Sequence, residues 1–351
     1  MNAENDMTHG NDLAAMIVEK ALDSGYDNCG IIPIAAIDGY ADKLAERKAR
    51  FPESTPIYNT LENFTKIREL YPWAKSIIVC SIWQGKYKYP KPLRGKYAKS
   101  FLLSVDTIPN SSEFKKKCRF EDWLCEQGIR FCGGMDNLPT RIFPLRLAAV
   151  EAGLGIFRRN NFFYGEKGSY YALEGYLIDK ALELRQKCNI RPCSDKCPLC
   201  RRACKTGALA EPYAMNPISC VSFWTTFGGG AVPPHLREEQ LGTWICGCDD
   251  CQDACPYNRH DWDDGLPFPG LDEIVDTLSP ENIISTSDET LIEKVIPKTD
   301  FHIPADKVDI LRICARRAVK NEQRNGDQAT QMIQEKMTGK ERNEQIGDHR
   351  K

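Results

Sequence analysis

The chain has 351 residues, 27% of them charged, and a net charge of -2, so no overall field draws it to nucleic acid. No stretch approaches the ~18 consecutive apolar residues that a membrane span requires, and Met1 to His9 lack a basic segment leading into an apolar run, which excludes a secretory signal. Ten of the sixteen cysteines fall between residues 188 and 255, at the spacing of metal ligands rather than scattered as a disulfide framework. These features place the protein in a reducing cytoplasm.

The length predicts two domains and a tail. Leu13, Met16, Ile17 and Leu22 stand near helical spacing and stop at Ser24-Gly25, predicting a helix over residues 11–24. Cys29 to Ala35 reads as a strand, residues 38–50 as a charged helix ending before Pro52, and Tyr71 to Trp83 as a β-branched strand central to a sheet. Gln84 to Ser100 holds six basic residues and no acidic one, with Tyr87, Tyr89 and Tyr97 interleaved. It reads either as a loop for phosphates or other anions, RNA included, or as a solvated loop. A helix over 111–127 and a short strand over 129–132 follow. Phe143 to Gly155 forms a helix closed by a glycine turn. Gly153 and Gly155 lack the third glycine of a dinucleotide fingerprint, so no Rossmann site is expected there. Tyr170 to Ile178 reads as a strand. The alternation favours a layered domain of mixed helix and sheet.

The chemistry lies in Cys193-Ser-Asp-Lys-Cys197-Pro-Leu-Cys200-Arg-Arg-Ala-Cys204 and Cys248-Asp-Asp-Cys251-Gln-Asp-Ala-Cys255-Pro256. Each has the C-x2-C-x3-C core of a two-cluster bacterial ferredoxin, in which the last cysteine of each run ligates the other cluster. One run alone would also suit zinc; two with this asymmetric spacing point to paired [4Fe-4S] clusters. Crossing the runs assigns Cys197, Cys200, Cys255 and Cys193 to one cluster, with Cys188 as the alternative to Cys193, because the regular pattern puts that ligand at Ser194. Cys204, Cys248 and Cys251 belong to the other. Cys246 is surplus and reads as a packed thiol. Past the clusters, residues 266–300 are proline- and acid-rich with one helix near Asp288 to Val295; Ala305 to Val319 reads as a helix. Lys320 to Lys351 is polar enough for an exposed helix or a disordered tail. The five histidines are far apart and show no metal spacing.

The region from Cys188 to Arg259 resembles the epoxyqueuosine reductase family. The likeness rests on Ser219-Cys-Val-Ser-Phe-Trp-Thr-Thr, Val232-Pro-Pro-His-Leu-Arg and Ile245-Cys-Gly-Cys-Asp-Asp-Cys-Gln-Asp-Ala-Cys-Pro-Tyr-Asn-Arg259. It continues more weakly upstream through Ala152-Gly-Leu-Gly155, Gly168-Ser-Tyr-Tyr to Asp179, and Gly95-Lys-Tyr-Ala-Lys with Asp106. The resemblance implies that Cys220 completes the second cluster and that a cobalamin domain accompanies the ferredoxin domain. The implied fold is α+β: a layered corrinoid-binding domain over 1–185, a two-cluster ferredoxin-like domain over 186–265, and a partly helical, polar extension over 266–351. Gly153, Gly155, Arg158, Arg159, Ser169 and Tyr170 become the expected cofactor contacts, and Asp136 the proton donor, with Asp106 second. The family's Gly-Lys-Asn after the glycine turn is replaced by Phe157-Arg-Arg-Asn-Asn161, so a paralogue with another substrate fits as well.

The implied activity is a reductase that deoxygenates epoxyqueuosine in tRNA, or an analogous substrate, with electrons from a ferredoxin- or flavodoxin-type donor. Two rivals remain: an electron carrier or reductive activator of a corrinoid protein, and a structural or regulatory cluster protein. The first reading requires a corrinoid-sized cavity between the N-terminal domain and one cluster; the carrier requires a solid core.

Overall fold

The computed structural model describes residues 3–104, 108–109, 111–134 and 142–327. The candidate acids Asp106 and Asp136 lie outside the described residues. Six strands are present among them: β1 Asn28–Pro33, β2 Ser76–Trp83, β3 Phe131–Gly133, β4 Ile156–Phe157, β5 Phe163–Tyr164 and β6 Tyr171–Ile178. Four form one sheet in the order β1-β2-β6-β3, and every pairing in it is antiparallel. β4 and β5 pair separately as a short ribbon. The expected central strand is central, but it starts at Ser76. Pro72 cannot donate to a ladder, and Tyr71 to Ala74 instead closes a turn, Ala74 N donating to Tyr71 O at 3.0 Å.

The period of two along β2 sorts its side chains onto two cores. Ile77 and Val79 face the helix Leu145–Glu151, with Phe143, Ala148 and Leu154. Ile78, Cys80 and Ile82 face the opposite layer, which contains the helices Ala3–Asp23 and Ser112–Glu126. The first helix begins eight residues before the expected start, since no proline precedes Leu13 to stop it. Helices thus cover both faces of an antiparallel sheet, an α+β arrangement.

The segment beyond residue 265 packs into the same core. Leu271, Ile274, Leu278, Ile283, Leu291 and Leu311 are all buried with it. The expected helix near Asp288 to Val295 is present as Asp288–Thr290 running into Leu291–Val295. A further helix spans 309–327. Its polar end is anchored, with Asn321 Nδ2 donating to the carbonyl oxygens of Glu238 and Gly242 at 3.1 and 2.8 Å.

The basic, tyrosine-rich segment 84–100 is not a solvated loop over most of its length. Tyr87, Tyr89 and Tyr97 are buried; Tyr87 meets Phe268 at 5.0 Å and Tyr97 stacks on Phe301 at 5.5 Å between ring centroids. Apolar ring area outweighs the charge around it, and the chain folds so that Lys88, Lys91 and Arg94 reach the surface between the buried rings. No helix among the described residues is long and apolar enough to cross a membrane.

Candidate metal centre and adjoining cavity

The two cysteine runs fold into short helices, Leu199–Ala203 and Asp250–Asp253, which pack against each other. Cys200 and Cys251 sit within them; Cys204 caps the first, and Cys255 precedes a turn begun by Pro256. A single helical turn carries each final cysteine away from its neighbours and toward the other run. Cys220 caps the start of Val221–Trp224.

The sulfurs fall into two groups around separate cavities. Cys193, Cys197, Cys200 and Cys255 line one, a small space shared with Arg158, Arg159 and Asn160. Cys204, Cys220, Cys248 and Cys251 line the other. This is the crossed arrangement expected from the spacing. Cys193 faces the first cavity, which Cys188 does not line, and Cys220 faces the second. Among the described residues no three His, Cys, Asp or Glu side chains converge on one point as for a single ion. Burial pushes the thiols of Cys200, Cys220, Cys248 and Cys251 up from their ordinary range, so taking up iron as thiolates means releasing their protons. Cys246 is fully buried, its Sγ donating to Phe301 O at 3.8 Å, and is the packed thiol expected.

Arg158 serves the first group of cysteines. It is 1% exposed. Its Nη1 donates to Cys193 Sγ at 3.6 Å and its Nη2 to Arg191 O at 2.9 Å, and its guanidinium lies 3.5 Å from the centroid of Tyr257. Asn160 stands between the groups, lining both cavities, and its Nδ2 donates to Cys251 O at 3.2 Å and Tyr164 Oη at 2.9 Å.

Of the other expected cofactor contacts, Arg159 lines the first cavity, and Gly153, Gly155, Ser169 and Tyr170 line neither. Gly153 adopts φ +76°, and any side chain there would strike the Gln186 carbonyl. Gly155 is pressed against Tyr164 O and the Phe163 ring. Both shape the turn, and neither lines either cysteine cavity. Ser169 and Tyr170 spend their polar atoms on the second run: Ser169 Oγ donates to Gln252 Oε1 at 2.7 Å, Ser169 N to Asn258 Oδ1 at 2.7 Å, and Tyr170 Oη to Asp253 Oδ1 at 2.5 Å. They fasten the sheet to the cluster loop, because β6 starts directly beneath it.

Behind the same run lies a buried polar group that sequence reasoning missed. Lys99 Nζ, 5% exposed as a residue, donates to Asp249 Oδ2 at 3.1 Å and Asp253 Oδ1 at 2.8 Å. It also lies 4.9 Å from the Tyr170 ring centroid. Burial pushes the Asp249 carboxyl up to about 6 against the lowering pull of Lys99. Only folding separates Lys99 from the surface lysines of its own segment.

The second cavity measures about 680 Å3, within the range of small-molecule and cofactor sites. Beyond the four cysteines its walls include the apolar Ile57, Leu61, Leu209, Met215 and Phe223, and among its polar groups are Arg146, Lys205, Asp250, Asn160 and Asn161. The carrier's solid core is therefore not what lies beside these cysteines. These walls would suit a large, partly apolar ligand.

The fold and the crossed cysteine groups define a two-cluster iron–sulfur protein with a sheet domain built around its cluster loop. A family model described as a 4Fe-4S double cluster binding domain matches residues 193–258. The epoxyqueuosine reductase of Cellulophaga algicola is 31% identical over 247 residues, covering 70% of this chain and 78% of that protein. The chain belongs to the epoxyqueuosine reductase family. The Salmonella typhimurium epoxyqueuosine reductase is 36% identical over 144 residues, 39% of this chain; the match spans about a third (36%) of that relative. A crystal structure of an epoxyqueuosine reductase with an epoxyqueuosine-modified tRNA-Tyr stem loop superposes with a TM-score of 0.67 at 22% identity, covering 89% of this chain and 82% of that one. That likeness shows the fold.

Proposed function

We propose that this protein is a cytoplasmic, corrinoid-dependent iron–sulfur reductase that removes the epoxide oxygen of epoxyqueuosine in tRNA. The observation that carries this reading is the large cavity whose walls include the second cysteine group. A ligand there would lie beside the cysteines that would hold one cluster, and Asn160 lines both this cavity and that of the other group. Cys193, Cys197, Cys200 and Cys255 would hold the outer cluster; Cys204, Cys220, Cys248 and Cys251 the inner one. Cobalamin would occupy the apolar part of the cavity and supply low-potential chemistry at its cobalt.

The chain's own part is positional and electrostatic. The two groups of thiolates would hold the clusters. Apolar walls exclude water from the reacting centre. Opening the epoxide to an alkene takes a pair of electrons and a pair of protons, with the oxygen leaving as water. The electrons enter from a ferredoxin- or flavodoxin-type donor. Asp136 is the proposed proton donor, Asp106 the second candidate.

The test is anaerobic. The reconstituted protein is mixed with cobalamin, a low-potential reductant and an epoxyqueuosine-bearing tRNA stem loop, and the RNA is examined by mass spectrometry. Loss of one oxygen from the nucleoside, dependent on both cobalamin and iron, is expected. Full clusters with no corrinoid bound would overturn the reading. Corrinoid reduction with unaltered RNA would reassign the protein to the activator class.

A further inference from the structure

Three large side chains stand exposed around the first cysteine group. Leu199, 43% exposed, lines its cavity together with the exposed Pro256. Tyr257, 46% exposed, covers the guanidinium of Arg158, whose Nη1 reaches Cys193. Tyr213, 42% exposed, is fixed beside Arg159, a further lining residue, by its own N–H, which donates to Arg159 O at 3.0 Å. Apolar and aromatic side chains left exposed together around one cavity mark a contact surface.

The charge around them is mostly of one sign. From Arg185 to Arg202 the chain carries six basic residues and a single acid, Asp195, all of them exposed. Arg185 is paired with Glu151 and Glu183, and Arg201 turns its Nε to Leu209 O. The other cations keep their charge near the cysteines. Arg191 lines a cavity of about 230 Å3 with Tyr257, where Glu166 is the one acid. Lys196 immediately precedes Cys197. Arg202 lies a helical turn beyond Pro198, its N–H donating to Pro198 O at 2.9 Å, and so shares a face with Pro198 and Leu199. Glu211, near Tyr213 in the chain, is neutralised by Arg50 at 2.9 Å.

Aromatic and apolar groups at the centre with charge at the rim are the composition of a protein interface, and an excess of cations steers an acidic partner onto it. We propose that Leu199, Tyr213 and Tyr257, with Arg191, Lys196 and Arg202, form the docking surface for the electron donor, an acidic one-electron carrier protein. Electron-transfer encounters are small and transient, which suits three exposed side chains and a few charges. The inference rests on the proposed function in one respect, that the first cysteine group holds a cluster fed from outside. The second group faces the large cavity, so a ligand there covers that side and leaves the first group as the side facing solvent. Each encounter moves one electron from the reduced carrier to the oxidised cluster, and two encounters supply the pair that the epoxide takes up.

The experiment needs neither corrinoid nor RNA. The cluster-reconstituted, full-length protein is mixed anaerobically with an acidic flavodoxin in its hydroquinone form, and bleaching of the clusters is followed by stopped flow at low and high salt. Arg191→Glu and the pair Lys196→Glu with Arg202→Glu are compared with Lys88→Glu with Lys307→Glu, which changes the net charge as much as that pair but elsewhere. Iron content and reduction by photoreduced deazaflavin, a small donor that needs no docking surface, are checked for each. A bimolecular rate about tenfold lower in the reversed variants at low salt, approaching the parent at high salt, is expected. The control pair and the deazaflavin rates should match the parent. Equal flavodoxin rates in parent and reversed variants, or an equal fall in the control pair, overturn the surface. Loss of tRNA stem-loop binding in the reversed variants with flavodoxin rates intact assigns the surface to RNA and overturns it as a carrier site. A parent without reducible clusters overturns the proposed function, and the surface with it.

Discussion

Arg158 offers a direct probe of the outer cluster. Its guanidinium is committed to a thiol, a carbonyl and an aromatic ring, so its charge bears on the cluster through Cys193. Reduction adds an electron to the cluster, and a buried cation stabilises that added charge. With Nη1 3.6 Å from the sulfur, the centre of the added charge lies roughly 7 Å away. At an effective dielectric of about 20, Coulomb's law gives about 2 kcal/mol, or roughly 100 mV for one electron. Arg158→Met keeps the apolar stem of the side chain but removes the guanidinium, and with it the charge and the contact with Tyr257. The expected result is a midpoint potential about 100 mV more negative for the outer cluster, with a smaller shift for the inner one, because the field falls with distance. An anaerobic redox titration followed by EPR reads both clusters. An unchanged potential, a positive shift, or equal shifts in both clusters would refute the assignment of Arg158 to Cys193 and of Cys193 to the outer cluster.

Other outcomes follow from the same geometry. Cys193→Ala should lower the iron content of the purified protein, whereas Cys188→Ala should leave it at the parent level, since only Cys193 lines the first cavity; colorimetric iron analysis decides. Lys99→Met leaves Asp249 buried without its cation, a loss of about 3–5 kcal/mol seen in urea denaturation. The sign of its pH dependence is fixed by burial: the Asp249 carboxyl, already raised to about 6, should rise further, so the variant regains stability as pH falls and the group takes up a proton. Gly153→Ala should destabilise by about 1–3 kcal/mol, because φ +76° and the Gln186 carbonyl both oppose a side chain. Corrinoid affinity per folded molecule should not change. A variant of full thermal stability but weakened corrinoid binding would make Gly153 a ligand contact after all.

The grouping of Cys197 and Cys200 with Cys255, and of Cys248 and Cys251 with Cys204, around two cavities was legible in the sequence because cluster spacing is a local property, two residues between neighbouring ligands and three before the one that crosses, whereas Cys220 entered only through the family resemblance. The strands and helices were legible for a similar reason. The runs at Asn28–Pro33, Ser76–Trp83 and Tyr171–Ile178 declare themselves by β-branched and aromatic content, and Tyr40–Arg50 by its charge and the proline beyond it. What a side chain faces is another matter. Tyr87, Tyr97 and Lys99 look like members of a basic surface loop until Phe268, Phe301, Asp249 and Asp253 fold against them from more than a hundred residues away. Arg158, Ser169 and Tyr170 were expected to be cofactor contacts, and their contacts with Cys193, Gln252 and Asp253 arise only in the tertiary structure. Ligand spacing is written along the backbone, whereas charge, burial and the shape of a cavity arise only where distant segments meet.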